Sequence, residues 1–208
     1  MNDPLLERFC DLLTDAPVRL TAVPRDQAFD RHVADALAGL HLVDATDGAL
    51  VDVGSGTGVP GMVLALVRPD RAVHLVESTQ KKAAVLAAIA AELGAHNVDV
   101  RAARAEELGL GDDRDRFGLA VCRALAPPPI AVELCLPLVR PGGRLVIWAG
   151  ETDAAAVDHA ARAVGGELER IEPAPGERRS FVVIVKTGPT PARFPRRTGM
   201  AANRPLAG

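Results

Sequence analysis

Small residues at alternating positions follow a short apolar run near residue 50, and they carry the clearest chemical signal in the chain. The run, residues 50–53, contains one acid, Asp52. The glycines that follow it are Gly54, Gly56 and Gly58. Glycine has no Cβ and tolerates positive φ, so such a loop lets bare backbone approach a ligand. A helix predicted to begin near Pro60 would point unbonded N–H groups at the same place. The segment therefore predicts a nucleotide-like cofactor site at the end of a strand.

The glycines fit two kinds of cofactor. The spacing that ends at Gly61 matches the dinucleotide fingerprint, whereas the spacing that starts at Gly54 matches the first motif of S-adenosylmethionine-dependent methyltransferases. Asp52 favours the second, because an acid there can meet the ammonium group of S-adenosylmethionine, directly or through water, and would repel a pyrophosphate. The turn at residues 141–143 and a final pair of strands are also typical of these methyltransferases. We therefore predict S-adenosylmethionine as the cofactor, with an NAD-linked oxidoreductase as the alternative.

Glu77 ends the next apolar run, at the distance from the glycines where a ribose contact is expected. A carboxylate there could accept two hydrogen bonds from a ribose diol, a charge-assisted and geometrically selective contact. The alternative is that Glu77 is an exposed acid that caps the following helix. We favour the diol because Glu77 falls at a predicted strand end.

Apolar runs alternate with helical patterns along most of the chain. Predicted strands cover residues 49–53, 72–76, 98–102, 119–122, 144–148, 167–171 and 181–185. Such alternation predicts a parallel sheet with helices on both faces. The last two runs have no helix between them, so one of them must run antiparallel. The prediction is an α/β fold of the class I methyltransferase (Rossmann-like) type. It has seven mostly parallel strands, a terminal antiparallel strand and an N-terminal helical extension.

Three segments are predicted within a single domain. Residues 1–42 are predicted to form an N-terminal helical cap, residues 43–187 the cofactor-binding core and residues 188–208 a basic tail. Ligands on such sheets bind at the carboxyl ends of strands, near the point where the strand order reverses. The glycine loop, Glu77 and Arg123 all fall at such ends, so we expect them to converge on one cleft.

Charge is distributed unevenly along the chain. Residues 178–208 hold seven of the 24 basic residues and none of the 27 acidic ones, although the formal net charge of the whole chain is −3. A basic tail on an acidic body suggests a polyanionic partner, and the alternative is a solvated tail that keeps the protein soluble. Aromatic residues make up 3% of the chain, which argues against base stacking as the main mode of nucleic-acid binding.

Several other classes are disfavoured. The three cysteines are widely spaced and form no CxxC pair, which argues against a zinc site or a disulfide scaffold. The histidines show no ligand spacing, so no metal is predicted. No apolar run approaches the length of a membrane span, and the expected location is the reducing cytoplasm.

Several motifs together resemble one family. The glycine loop with Val59-Pro60-Gly61, the pair Glu77-Ser78 and the lysines Lys81-Lys82 are similar to the RsmG (GidB) family. Further similarity lies at residues 20–22, 31–37, 105–106, 123–124, 182–186, 194–199 and 204–206. The resemblance covers nearly the whole chain. It implies transfer of a methyl group from S-adenosylmethionine to N7 of guanine 527, in the 530 loop of bacterial 16S ribosomal RNA, within the small ribosomal subunit.

The resemblance also implies roles for particular residues. It places Gly54 and Val59 at the cofactor, Ala105 and Glu106 near its adenine, and Arg123 at the cofactor or reaction site as the catalytic residue. The predicted cofactor-binding set is then Asp52, Gly54, Gly56, Gly58, Val59, Glu77, Ala105, Glu106 and Arg123. The alternatives are that Glu106 belongs to a solvated helical turn and that Arg123 pairs with an acid at the sheet edge.

Contacts with RNA are predicted for one histidine and four arginines. These residues are His32, Arg193, Arg196, Arg197 and Arg204. The tail cations would bind phosphates, which position RNA without reading its sequence, and His32 could contact RNA or brace the cleft. N7 of guanine has a lone pair and no proton, so its methylation needs alignment in a dry cleft more than a general base. A methyltransferase acting on another RNA or on a small molecule remains an alternative.

Overall fold

Seven strands form one sheet at the centre of the protein. The computed structural model describes residues 3–176 and 178–206. The strands are β1 (Leu50–Val53), β2 (Val73–Val76), β3 (Val98–Arg101), β4 (Phe117–Arg123), β5 (Val139–Ala149), β6 (Gly166–Pro173) and β7 (Ser180–Lys186). Their order across the sheet is β3-β2-β1-β4-β5-β7-β6. Neighbours are parallel except around β7, which pairs antiparallel with both β5 and β6.

The predicted seven-stranded, mostly parallel sheet is confirmed. Its antiparallel member is β7, the last of these strands along the chain, which lies between β5 and β6 so that β6 forms the edge. β5 begins at Val139, earlier than predicted, because Val139 pairs with Phe117 across an irregularity before the regular register resumes between Leu119 and Arg144.

Helices cover both faces of the sheet. They are α1 (Pro4–Thr14), α2 (Arg25–Ala28), a π-helical segment (Phe29–Ala34), α3 (Asp35–Ala38), α4 (Leu40–Asp44), α5 (Gly61–Val67), α6 (Gln80–Glu92), α7 (Ala105–Leu110), α8 (Pro128–Cys135), a 3-10 turn (Leu136–Leu138), α9 (Ala154–Ala163) and α10 (Met200–Asn203). The sequence pattern predicts one helix from about residue 26 to 39, and the structure divides it by the wider π turns. It does not predict α7 and α10, which have 6 and 4 residues, because helical periodicity cannot show over so few positions.

The sheet separates two apolar layers. β1 is buried along its whole length, with Leu50 in one layer and Val51 and Val53 in the other, as expected for a strand covered on both faces. Residues of α1 pack in the layer that contains Leu50. Phe194, from the C-terminal part of the chain, packs in the other layer, so this part of the chain lies against the sheet body.

Strand order explains where a cleft can form. β1 has β2 on one side and β4 on the other, and the three run parallel. The chain therefore leaves the carboxyl ends of β1 and β4 toward opposite sides of the sheet, which opens a crevice above them. The glycine loop, Glu77 and Arg123 follow or end these three strands.

Candidate active site

The glycine loop between β1 and α5 has a backbone that other residues would strain. The three glycines have φ values of +71°, +48° and +81° in chain order, in the region that L side chains rarely adopt. A Cβ on Gly54 would lie 2.5 Å from Leu125 Cδ1. The amides of Gly54 and Ser55 donate to the carbonyl of Val76 at 2.8 and 3.0 Å. The loop is therefore tied to the end of β2, and the absence of a side chain at Gly54 lets Leu125 pack against the loop.

Asp52 lies beneath this loop. It is fully buried, and its Oδ2 accepts a hydrogen bond from the Gly61 amide at 2.9 Å, at the start of α5. A Cβ on Gly61 would lie 2.7 Å from Asp52 Cβ, so the glycine permits the approach. Asp52 Oδ1 has no hydrogen-bond partner. Burial raises the pKa of Asp52 to about 7, against the opposing effects of the Gly61 amide and Arg123. The carboxyl thus braces the loop and helix from below.

Glu77 joins the glycine loop to the segment that follows β2. It is 7% exposed, its Oε2 accepts from the Gly56 amide at 3.0 Å, and its Oε1 accepts from the Thr79 amide at 2.7 Å. Each carboxylate oxygen can accept a second hydrogen bond. Glu77 is therefore a buried, preorganised acceptor at the cleft and not the exposed acid of the alternative interpretation.

Two adjoining cavities open at the carboxyl ends of β1, β2 and β4. The first, of about 250 Å³, is called the apolar cavity here because its walls include Val53, Val76, Ile130 and Leu134. The second, of about 360 Å³, is called the polar cavity because its walls include Ser55, Glu77, Lys82 and Arg123. Gly54, Ser78 and Leu125 line both cavities, so the two form one continuous cleft. Asp52 lines neither cavity.

Arg123 reaches the polar cavity at the end of β4 and is held by the N-terminal helices. Its Nη1 donates to Asp35 Oδ2 at 2.7 Å and to the Arg31 carbonyl at 3.1 Å. Its Nη2 lies 3.0 Å from His32 Nδ1, and His32 Nε2 lies 2.9 Å from Thr21 Oγ1. Burial and the Arg123 charge lower the pKa of His32 to about 4. The imidazole is therefore neutral at pH 7, with Nδ1 accepting from Arg123 and Nε2 donating to Thr21.

Arg123 combines the predicted pairing with an acid and a position at the cleft. It pairs with a buried acid, Asp35, whose other oxygen is paired with Arg179, and it also lines the polar cavity. Ala124 follows with φ +53°, uncommon for a residue other than glycine. This turn leads directly to Leu125, which lines both cavities.

Ala105 and Glu106, which the family resemblance implies lie near the adenine, begin α7 and line the apolar cavity. Glu106 is buried, and its Oε1 accepts a hydrogen bond from the Gly199 amide at 3.1 Å. Gly199, Ala201 and Ala202 line the same cavity. We call residues 188–206 the C-terminal segment, and Glu106 joins it to the cleft wall. Glu106 is therefore not solvated, whereas its neighbour Glu107 on the same helix is exposed.

The five residues predicted to contact RNA differ in their surroundings. Three of them are exposed: Arg193, Arg197 and Arg204. Arg196 instead faces the buried Glu133, with its Nε 2.6 Å from Glu133 Oε1 and its Nη2 paired with Oε2. His32 is 4% exposed, with both ring nitrogens bonded within the protein. The exposed arginines are accessible to phosphates, whereas the surroundings of Arg196 and His32 favour roles inside the protein.

Other lining residues were not singled out from the sequence. Leu125, Ile130 and Leu134 lack a chemical signature, so an apolar wall residue cannot be distinguished from a core residue in the sequence. Ser78 and Lys82 fall within motifs that carried the family resemblance, which was the signal available for them.

The described residues bear on metal binding and membrane insertion as well. Among residues 3–176 and 178–206, no three His, Cys, Asp or Glu side chains are grouped so that they could hold a metal ion. Within the same ranges, no helix combines the length and apolar character needed to cross a bilayer. The three cysteines are buried and unbridged.

Solved structures show which class the fold belongs to. The chain aligns with a mutant of MtNAS in complex with S-adenosylmethionine at a TM-score of 0.61 and 15% identity, over 89% of this chain and 73% of that one. It aligns with a 16S rRNA (adenine(1408)-N(1))-methyltransferase from Catenulisporales acidiphilia at a TM-score of 0.58 and 15% identity, over 76% and 93% of the two chains. With the strand order, these likenesses define a class I S-adenosylmethionine-dependent methyltransferase fold, as predicted.

Sequence comparison narrows this class to one family. A family model described as GidB, rRNA small subunit methyltransferase G, matches residues 4–172. A relative from Syntrophomonas wolfei subsp. wolfei, named ribosomal RNA small subunit methyltransferase G, is 36% identical over 210 residues, covering 97% of this chain and 98% of that one. A relative of the same name from Pelotomaculum thermopropionicum is 39% identical over 199 residues, covering 91% and 83%. The chain belongs to the GidB (rRNA small subunit methyltransferase G) family, so the predicted family and the prediction of a methyltransferase are confirmed.

Proposed function

We propose that this protein transfers the methyl group of S-adenosylmethionine to N7 of guanine 527 of 16S ribosomal RNA, within the small ribosomal subunit and in the cytoplasm. Membership of the GidB family supports methylation of small-subunit rRNA. The observation that carries the cofactor assignment is the cleft itself, in which an apolar and a polar cavity meet at Gly54.

The residues present fit this cofactor. The flat adenine suits the apolar cavity, where Ala105 leaves room for a ring. Glu77 lines the polar cavity, next in sequence to Ser78, which lines both, and can accept from a ribose diol. Arg123 and Lys82 in the polar cavity suit the carboxylate of the methionine part. Asp52 acts on the cofactor through the loop that it braces. When bound, S-adenosylmethionine supplies a methyl group activated by its sulfonium charge.

The described cleft is arranged for alignment. N7 of guanine has no proton to lose, so a general base is not needed at the attacking atom. Glu77 is engaged with two backbone amides, and His32 is neutral with both nitrogens occupied. These side chains hold the walls of the cleft in fixed positions, which suits a reaction that depends on placing N7 in line with the methyl group.

Exposed cations of the C-terminal segment support an RNA partner. Arg193, Arg197 and Arg204 are exposed on a segment that also lines the cleft. Phosphate contacts from such residues would position the RNA, and selection of one guanine would depend on folded RNA and on the ribosomal context.

The test measures binding and product separately. Calorimetry with adenosylhomocysteine and with NAD should show binding of the first and none of the second. Purified protein with labelled S-adenosylmethionine and small ribosomal subunits lacking the modification should then give one new methyl group, located by mass spectrometry at N7 of guanine 527. A product at another nucleotide or atom would overturn the proposed specificity, and binding of NAD alone would overturn the cofactor.

A matched pair of variants tests the cofactor site. Glu77→Gln removes the charge that accepts from the loop amide and the ribose, and adenosylhomocysteine should bind roughly tenfold more weakly, the loss of one charge-assisted hydrogen bond. Glu107→Gln is the control, because Glu107 is exposed and outside both cavities. Equal affinities in the two variants would contradict a ribose contact at Glu77.

A further inference from the structure

The C-terminal segment forms a wall of the apolar cavity. Gly199, Ala201 and Ala202 line this cavity together with Ile130 and Leu134 of α8. Ala201 is buried, and α10 packs against α8. If adenine occupies the apolar cavity, this segment contacts it, although it follows the seven-stranded core in sequence.

An ion pair fixes the segment beside that cavity. Glu133 is 1% exposed and lies on α8 between the lining residues Ile130 and Leu134. Arg196 meets it with two parallel hydrogen bonds, from Nε at 2.6 Å and from Nη2, and the same Nη2 donates to the Arg204 carbonyl at 2.8 Å. A bidentate pair is directional, and leaving Glu133 buried without a partner is costly. Arg196 therefore holds both flanks of α10 toward α8.

A second set of bonds fixes the beginning of the segment. Arg114 donates to the carbonyls of Thr190 and Pro191 at 2.6 and 3.0 Å. Lys186 is 0% exposed and donates from Nζ to Thr190 Oγ1 at 2.5 Å, and Asp115 accepts from the same hydroxyl at 2.5 Å. These bonds fix where the segment starts, so its seating over the cavity depends on the contacts further along, at Arg196 and Gly199.

We propose that Glu133 and Arg196 are positioning residues for the cofactor: their pair seats the C-terminal segment as a wall against the adenine. Glu106 completes the seating through the Gly199 amide. This inference rests on the proposed function, and it gives Arg196 a place in the cofactor site where the charge pattern of the tail suggested an RNA contact.

The first test compares two neighbouring arginines of the segment by calorimetry with adenosylhomocysteine. Arg196→Ala should weaken binding roughly tenfold, and Arg196→Lys, which keeps the charge but not the paired geometry, should lie between it and the natural protein. Arg197→Ala is the matched control, because Arg197 is exposed, and it should leave the affinity unchanged. Unchanged affinity in Arg196→Ala, with weaker RNA binding and a smaller salt dependence, would overturn the proposal and make Arg196 a phosphate contact.

A second pair of variants leaves the ion pair intact. Ala202 is exposed and also lines the apolar cavity. Ala202→Leu should therefore narrow the cavity and weaken adenosylhomocysteine binding severalfold, while the protein stays folded. Ala192→Leu is the control, since Ala192 is exposed on the same segment and outside both cavities. Equal affinity in the two leucine variants would show that the segment does not contact the cofactor.

KM values of Arg196→Ala and adenosylhomocysteine binding by the natural protein distinguish failure of this inference from failure of the proposed function. In Arg196→Ala, the KM for S-adenosylmethionine should rise while the KM for the ribosomal subunit stays within twofold. A rise in the subunit KM alone would contradict the positioning role. Failure of the natural protein to bind adenosylhomocysteine would refute the proposed cofactor itself, whereas binding that is equally strong in Arg196→Ala and Ala202→Leu would refute the wall alone.

Discussion

The glycine loop and the C-terminal segment form different walls of one cleft and are built in different ways. The backbone conformation of the loop comes from its own residues: the Gly58 amide donates to the Ser55 carbonyl at 2.6 Å, and the three glycines have positive φ angles. Backbone amides of the loop also bond to Val76 and Glu77 at the end of β2. The C-terminal segment takes its shape from distant partners. Arg196 and Glu133 are 63 positions apart in sequence, and Gly199 and Glu106 are 93 apart. The conformation of one wall is therefore set by its own glycines, which the sequence shows, whereas the other wall is placed by side-chain pairs that are far apart in sequence.

This difference predicts how each wall should respond to a substitution. The loop depends on backbone conformations that one methyl group can forbid, so it should fail abruptly. The segment depends on several separate polar contacts, so losing one contact should weaken its seating by degrees.

The largest effect is expected at Gly54. Gly54→Ala forces an L residue to φ +71° with its Cβ 2.5 Å from Leu125 Cδ1. Strain and overlap together should lower adenosylhomocysteine affinity roughly 1,000-fold, about 4 kcal/mol, as measured by calorimetry. Gly94→Ala is the matched control, because Gly94 has φ +64° with nothing within 4 Å of the added Cβ. Similar losses of affinity in both variants would show that the loop has no special role.

The pH dependence of stability tests the buried Asp52 carboxyl beneath the glycine loop. Because the folded pKa of Asp52 is raised to about 7, the folded state binds more protons than the unfolded state between about pH 4 and 7, and the contribution of Asp52 to stability falls as pH rises through that window. Asp52→Asn does not titrate. Between pH 5 and pH 8 the natural protein should lose roughly 2–3 kcal/mol of unfolding free energy that Asp52→Asn keeps, so the stability of the variant relative to the natural protein should rise by that amount.

Urea denaturation at the two pH values measures this gain. Titration of His32 is common to both proteins and cancels in the difference. A difference between variant and natural protein that does not change with pH would mean that the Asp52 carboxyl keeps an ordinary pKa, and would contradict its placement as a buried brace.

Arg114 tests the other wall with a smaller expected effect. Arg114→Ala removes the donors to the Thr190 and Pro191 carbonyls, so the segment should detach more often and tryptic cleavage after Arg193 or Arg197 should speed up roughly tenfold. Arg116→Ala is the control, since Arg116 is half exposed and pairs with Asp113. Equal cleavage rates in the two variants would count against anchoring by Arg114.

The smallest effect is expected on the outer side of the segment. If Arg197 contacts one phosphate, Arg197→Ala should lower the slope of log affinity against log salt by about 0.7–0.9 for RNA of the small subunit, with cofactor affinity unchanged. Filter binding over a range of salt concentrations gives the slope. Arg162→Ala, which removes an exposed arginine of α9, should leave it unchanged. An identical slope in both variants would remove Arg197 from the RNA surface.

The sequence predicts the local wall well. The alternation of strands and helices, the glycine spacing and Glu77 at a strand end are visible because each signal spans a few neighbouring residues. These signals place the cleft at the ends of β1, β2 and β4, where the structure has it.

The other wall could not be predicted, because its determinants are pairings across the fold. The tail shows a cluster of arginines, but its sequence does not distinguish Arg196, paired with a buried acid, from the exposed Arg197. The sequence motif marks Asp52 as an acid next to the glycine loop. It does not show that the carboxyl points toward the start of α5, where it accepts from the Gly61 amide.

The order of the two walls along the chain has a consequence during synthesis. Gly199 follows Gly54 by 145 positions, so the glycine-lined part of the cleft leaves the ribosome long before Gly199 has been synthesised. Until those later residues emerge and dock, the apolar cavity of a nascent chain lacks one of its walls. A ligand whose binding needs that wall can therefore stabilise the fold only after this segment has been synthesised and has docked.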